Sequence, residues 1–291
     1  MVDKKDRFLV IGATGMLGGE VVKYLQLIGR TVVRATWPDS IAGAYQLDIT
    51  DHKMARVLIQ EVKPKIVYNC SAFTDVDGAE SREELATAIN AAGVGNLAKA
   101  CREVNSMLVH ISTDYVFNGQ AHIPYQPDSP VSPQTAYGRS KLKGEELIAK
   151  VGGWWLIIRT SWLFGAGGKN FVDSMVTYAQ TRPILNVVND QIGCPTYAPD
   201  LARCMVELAE KNCQGIYHFC NQPPCSWFDL ATKAVEKAGR QCLVEPCQSD
   251  EFPRPAPRPA YSVMDCKQTY ADLGWTPRTW MEALQEHLGT K

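Results

Sequence analysis

Tyr137 and Lys141 stand four residues apart in Thr135-Ala136-Tyr137-Gly138-Arg139-Ser140-Lys141, so on a helix they share one face. There an ammonium can hold a phenol in place and lower its pKa toward the working range of an acid/base catalyst. Upstream, Ser112-Thr113-Asp114 supplies a hydroxyl pair, and Gly12-Ala13-Thr14-Gly15-Met16-Leu17-Gly18 sets glycines three apart between an apolar run and a helical pattern. Backbone N–H groups at such a helix start, approached closely where glycine has no side chain, hold a pyrophosphate with help from the helix dipole. Each piece alone is common, since a Tyr/Lys pair is usually a solvated helix face and a Ser-Thr pair a strand end. Their order along the chain, each at the edge of a predicted element, points to proton transfer beside a nucleotide, with a nicotinamide cofactor.

The elements that must position these residues follow from apolar periodicity. Phe8-Leu9-Val10-Ile11 predicts a strand ended by Gly12, and Leu17, Val21, Val22 and Leu25 predict a helix stopped by Gly29. Further strands are predicted at 31–36, 45–48, 66–70, 107–111 and 154–160, separated by helices at 53–62, 86–104 and 136–150. Strands separated by helix-length segments imply an α/β fold, a doubly wound parallel Rossmann-like sheet with right-handed crossovers. Beyond residue 162 the alternation becomes irregular: helices at 171–181, 199–211 and 227–238, a strand at 216–219, and proline-rich loops. We therefore expect a dinucleotide-binding domain over 1–162, to which segments near 188–220 return. Residues 163–291 should form mainly a smaller C-terminal substrate lobe that closes a cleft over the strand carboxyl ends.

With 291 residues, 45% of them hydrophobic, the chain can bury a large core. A net charge of −1, with no run of like charges, argues against a nucleic-acid or membrane surface as partner. The charged start Met1 to Arg7 carries no signal-peptide core, so a soluble, cytoplasmic protein is expected. Ten cysteines lie scattered with no Cys-x-x-Cys spacing, and five histidines show no ligand pattern. Neither a disulfide framework nor a metal site is predicted. Nothing in the sequence sets the oligomeric state or a need for magnesium.

The end of the second strand reports the ribose partner, because an acidic residue there binds both ribose hydroxyls and repels a 2′-phosphate. Thr36 falls at that position with Arg34 close by. NADPH is therefore tolerated, with NADH left open.

Longer segments carry a resemblance. The turn at 12–18, the Ser112-Thr113 pair and Tyr137/Lys141 resemble the extended short-chain dehydrogenase/reductase superfamily. Within it the chain is similar, over nearly its whole length, to the dTDP-4-dehydrorhamnose reductases. The segments concerned are Asn69 to Glu80, Ser112-Thr113-Asp114-Tyr115-Val116-Phe117-Asn118-Gly119, Arg159-Thr160-Ser161-Trp162, Gln191 to Thr196 and Arg258-Pro259-Ala260-Tyr261-Ser262. This resemblance implies NAD(P)H-dependent reduction of the C4 keto group of dTDP-4-dehydro-L-rhamnose, with the nucleotide-sugar as the partner. It implies that Tyr137 gives its proton to the C4 oxygen, that Lys141 binds the ribose and stabilises tyrosinate, and that Thr113 polarises the carbonyl. Gly12, Gly15, Met16, Leu17 and Gly18 would form the pyrophosphate turn and Asp48 and Ile49 the adenine contact. Ala72, Phe73 and Thr74 would form the loop beside the cofactor. Asp114, Trp162, Asn170, Gln191, Thr196 and Arg258 would face the substrate, an arginine suiting a diphosphate.

Related dehydratases carry Thr-Asp-Glu where this chain has Thr113-Asp114-Tyr115, so the acid that eliminates water is missing. Related epimerases keep an acidic residue at the end of strand two, where Thr36 stands. Both departures favour reduction. Two alternatives stay open: a reductase of a related dTDP-4-keto-6-deoxyhexose, and a non-catalytic NADP-binding subunit resembling the regulatory subunit of methionine adenosyltransferase.

Overall fold

Alternate side chains of β1 (Arg7–Ile11) enter two separate apolar layers, Phe8 and Val10 on one side and Leu9 and Ile11 on the other. A strand buried on both faces reads as a continuous apolar run, which is why Phe8 to Ile11 shows no polar alternation. The structure, a computed structural model, describes residues 7–289. Residues 1–6, read above as a start without a signal core, and residues 290–291 lie outside the described residues. After β1 come α1 (Met16–Leu27), β2 (Thr31–Thr36), β3 (Ala44–Gln46), α2 (His52–Val62) and β4 (Ile66–Asn69). Asp51 starts α2 by accepting hydrogen bonds from the Lys53 and Met54 amides.

A short α3 (Val76–Ser81) comes next, and the helix expected at 86–104 is instead three pieces: α4 (Glu83–Thr87), a π-helical segment Ala88–Gly93, and α5 (Val94–Glu103). The extra residue per turn aims Asn90 inward. Its Oδ1 accepts from the Phe73 amide at 2.8 Å and its Nδ2 donates to the Phe73 carbonyl at 3.0 Å and to Ser140 Oγ at 3.0 Å. One buried amide thus ties the loop after β4 to the helix of Tyr137.

β5 (Met107–Thr113) runs two residues past the predicted strand, and α6 (Ala136–Val151) and β6 (Trp155–Thr160) follow. Thr135 caps α6 by accepting from the Gly138 amide at 3.0 Å. Then come β7 (Leu163–Phe164), α7 (Phe171–Tyr178), β8 (Ile184–Val188), β9 (Ile192–Gly193), β10 (Thr196–Tyr197), α8 (Ala198–Glu210) and β11 (Gly215–His218). The chain closes through β12 (Cys225–Ser226), α9 (Trp227–Lys237), β13 (Leu243–Cys247), α10 (Lys267–Leu273) and α11 (Trp280–Gly289).

The seven-stranded sheet has the order β11-β6-β5-β4-β1-β2-β3 with every pair parallel. Buried residues of α1 and α8 cover one face and those of α2 and α5, with Ile148 of α6, the other, the doubly wound arrangement expected. Order reverses beside β1, and a crevice outside the strand carboxyl ends forms at such a switch point. Of the segment near 188–220, α8 and β11 join this body, while β9 and β10 form two-stranded ladders with β12 and β7. A second pair of apolar clusters, built from α7, α9, α11 and the parallel β8/β13 ladder, makes the other lobe. Among the described residues no helix is long and apolar enough to cross a membrane.

Candidate active site

The first turn is shaped by glycine. Gly12 sits at φ +76°, and a Cβ on Gly18 would lie 2.1 Å from the Gly12 carbonyl oxygen, so α1 can approach β1 this closely only without a side chain there. Gly15 precedes α1 in an extended conformation and no side chain caps the helix, which leaves its first N–H groups to an anion. Gly15, Met16 and Leu17 form one wall of a cleft of about 670 Å³. The opposite wall carries Ser112, Thr113, Asp114, Tyr137 and Lys141, and the loop after β4 contributes Ser71, Ala72 and Thr74. A glycine cradle facing acid/base side chains across one cleft fits a dinucleotide with a reacting group at its far end.

Tyr137 and Lys141 lie on one face of α6, both buried, as their spacing predicts. The expectation that the ammonium lowers the phenol's pKa is not met. Burial pushes Tyr137 up to about 12, with Thr113 pulling the other way and Asp114 adding to the rise. Lys141 Nζ instead donates to the Ile111 carbonyl at 2.5 Å and lies 3.1 Å from His110 Nε2. Burial lowers it to about 8, against Glu145 and Cys70. Thr113 Oγ1 donates to Asp114 Oδ1 at 3.0 Å. Burial raises Asp114 to about 6, against that hydrogen bond, and its Oδ2 faces Ser262 without a well-formed hydrogen bond.

A second cleft of about 300 Å³ shares Tyr115, Trp162 and Trp227 with the first, so the two adjoin. Trp162 and Trp227 stack with centroids 3.7 Å apart. Trp162 adopts φ +50°, a conformation unusual for a bulky residue. The Thr196 amide, donating to the Trp162 carbonyl at 3.1 Å, fixes that turn, and Gly193 leaves room for the ring, since a Cβ there would sit 2.7 Å from it. Gln191, Arg254 and Arg258 line the second cleft. Arg254 and Arg258 both reach Asp77 Oδ2 of α3, at 2.6 and 2.9 Å. Burial works to raise the Asp77 carboxyl, but the hydrogen bonds led by Arg254 outweigh it and hold it below the usual carboxylate range.

Several expected contacts fall elsewhere. Thr196 is fully buried and its hydroxyl accepts from Thr160 Oγ1 at 3.0 Å, so it supports the Trp162 turn from behind. Asn170 caps α7 by accepting from the Asp173 amide, and donates to the Gly165 carbonyl at 3.0 Å. Thr36 is buried with its hydroxyl given to the Asp39 carbonyl at 2.6 Å, not turned outward. Asp48 accepts from the Thr50 amide and hydroxyl, and Ile49 packs in the core. Phe73 packs beside Tyr137 with its backbone held by Asn90. The sequence reading passed over Ser71, Tyr115, Trp227, Arg254 and Lys169, all on the two clefts. A signal existed for Lys169 in the glycine-rich run Gly165-Ala166-Gly167-Gly168-Lys169. Among the described residues no group of three or more His, Cys, Asp or Glu side chains is placed to hold a metal ion.

Comparison with known proteins bears on this geometry. The model of a family described as the RmlD substrate binding domain matches residues 6–291. The spore coat polysaccharide biosynthesis protein SpsK of Bacillus subtilis (strain 168) is 40% identical, over 97% of this chain and 96% of that protein. The dTDP-4-dehydrorhamnose reductase of Aggregatibacter actinomycetemcomitans is 38% identical, over 96% of this chain and 97% of its own. Among solved structures, dTDP-4-dehydrorhamnose reductase from Bacillus anthracis str. Ames in complex with NADP superposes with a TM-score of 0.92 at 35% identity, covering 99% of this chain and all of that one.

Proposed function

The chain belongs to the RmlD substrate binding domain family, and on that premise we propose that it is an NADPH-dependent reductase of the C4 keto group of dTDP-4-dehydro-L-rhamnose. The observation that carries this reading is a pair of clefts that share Tyr115, Trp162 and Trp227. Gly15 to Leu17, Thr113, Tyr137 and Lys141 line one, and Arg258 lines the other.

Gly12, Gly15 and Gly18 shape the turn that holds the pyrophosphate, and Ala72 and Thr74 flank the cofactor. When bound there, NADPH supplies the hydride for C4. Tyr137 donates its phenolic proton to the C4 oxygen, a transfer suited to a phenol that keeps its proton at neutral pH. The Thr113 hydroxyl, whose single proton goes to Asp114 Oδ1 before the sugar enters, turns to donate to the same oxygen and steadies the charge that develops on it. Asp114, ionised above about pH 6, accepts from a sugar hydroxyl. The stacked Trp162 and Trp227 offer an apolar face, and Arg258 meets the diphosphate. Residues 7–162 with α8 and β11 act as the dinucleotide-binding body, and most of the remainder as the substrate lobe.

The deciding experiment follows NADPH oxidation with dTDP-4-dehydro-L-rhamnose and with a related dTDP-4-keto-6-deoxyhexose. Turnover with the first, faster than with the second, is expected. Tight NADPH binding with no turnover on either sugar would move the chain to the non-catalytic reading.

A further inference from the structure

Asn69, the last residue of β4, and His110, in the middle of β5, are register partners, and both are fully buried. The Ser71 backbone N–H, a donor that cannot be reversed, reaches Asn69 Oδ1 at 3.2 Å. This orients the amide so that Asn69 Nδ2 faces His110 Nδ1 at 3.1 Å. An amide N–H only donates, so His110 Nδ1 must be an acceptor, and a neutral imidazole then carries its proton on Nε2. That proton points at Lys141 Nζ, 3.1 Å away. A neutral amine can accept it, whereas an ammonium would set donor against donor.

Resting on the reductase reading above, we propose that Asn69 and His110 are positioning residues whose fixed hydrogen-bond direction favours the neutral amine of Lys141. The neutral amine is the form left when Lys141 has passed a proton to tyrosinate. The balance is one proton: the Tyr137 O–H breaks as the sugar O–H forms, a Lys141 N–H breaks as the Tyr137 O–H re-forms, and solvent reprotonates the amine. Lys141 keeps an N–H for the Ile111 carbonyl at 2.5 Å throughout. The other charged or titratable groups acting on it are Glu145 on α6 and Cys70 after β4, and Tyr137 and Asp114 line the same cleft as Lys141. Glu145 is held by Arg159 through two hydrogen bonds, at 2.6 and 3.0 Å. Burial keeps His110 neutral, well below the usual histidine range, and Lys141 adds to that lowering.

Long-range 1H–15N correlation on the wild-type protein reads the His110 tautomer directly, with no need for activity. A proton on Nε2 is expected, and one on Nδ1 would overturn the proposal. Two variants then test the consequence. In Asn69→Asp a carboxylate draws the imidazole proton to Nδ1 and frees Nε2 to accept from an ammonium. His110→Gln offers an amide oxygen to Lys141 without adding charge. Both should raise the Lys141 pKa and move the basic limb of kcat/KM up by about one pH unit, the scale of one buried hydrogen bond. A merely structural role would lower the amplitude and leave the limb in place. An unmoved limb in both variants, with NADPH affinity unchanged, would overturn the proposal. If neither variant folds, the wild-type tautomer decides. A wild type that turns over no 4-keto sugar would sink the reductase reading alone, because the spectrum still tests the hydrogen-bond direction.

Discussion

The two ends of the cleft are held in different ways. At the carboxyl edge of the sheet, Thr113 ends a seven-residue strand paired on both sides, and Tyr137 and Lys141 ride a sixteen-residue helix capped by Thr135. At the other end, Trp162 hangs between β6 and a two-residue ladder, and Arg258 is aimed by an ion pair to Asp77. Long elements fix side chains through many cooperative contacts, whereas a short bridge or a half-exposed ion pair fixes them through one or two. The comparison teaches that long elements hold the residues proposed for chemistry, and short local ties those proposed for recognition. Damage at the first end should therefore fall on kcat and at the second on KM.

The largest effect should come from the well-anchored end. Tyr137→Phe removes one hydroxyl and leaves the ring packed against Tyr115, whose centroid is 5.6 Å away. A drop in kcat of at least about 100-fold with little change in KM is expected. Near-normal turnover of the 4-keto sugar would take Tyr137 out of the mechanism. At the other end, Arg258→Ala should raise KM for the nucleotide-sugar by roughly tenfold, the scale of one charge-assisted contact, while the NADPH Kd stays put. Calorimetry with dTDP and with NADPH checks both halves. A matching loss of NADPH affinity would erase the division between the two ends.

The same division explains what could be read from the sequence. Apolar runs such as Phe8 to Ile11 and the Gly12 to Gly18 turn report their own geometry, so the sheet and the first wall of the cleft were legible. The Tyr137/Lys141 spacing correctly placed both side chains on one face. It could not say that Lys141 would turn to Ile111 and His110, because that depends on β5 arriving behind the helix. Thr36 ends β2 as expected, but strand position could not reveal that its hydroxyl folds back on Asp39. β8, β13, α10 and α11 went unread, and the break in the 86–104 helix was missed, since a π turn keeps helical composition. Asn170 and Thr196 were expected to face the substrate. Their polar groups serve a helix cap and a strand tie, demands that a sequence block does not separate from ligand contact.

Asp114 precedes Tyr115, which lines both clefts, and pH separates its contribution from those of the two ends. Its carboxyl is raised to about 6 in the folded chain, above an unfolded value of 3.8, so the folded state binds more protons between those values. Stability should fall as pH rises through that window, by the linkage between proton binding and folding. Activity should move oppositely, kcat/KM rising through about pH 6 as the carboxylate forms and accepts from the sugar. Asp114→Asn should flatten both profiles and lower kcat/KM about fivefold at pH 8, the difference between a charged and a neutral acceptor. An acid limb that survives the substitution would assign it to another group.

The smallest effect sharpens the comparison most, because it separates a residue that touches substrate from one that holds the wall behind it. Thr196 has no exposed surface, its amide donates to the Trp162 carbonyl, and its hydroxyl accepts from Thr160. Thr196→Val keeps the shape and the amide and deletes only the hydroxyl, leaving Thr160 Oγ1 without its acceptor. The expected cost is about 1–2 kcal/mol of stability, read as a lower midpoint in urea unfolding. KM for the nucleotide-sugar should change less than threefold, the limit for a wall that shifts slightly without losing a contact. The opposite pattern, unchanged stability with KM up about tenfold, would mean that the Thr196 hydroxyl meets the sugar-nucleotide directly. In that case the second lobe would be built around its ligand as firmly as the sheet edge is built around Tyr137.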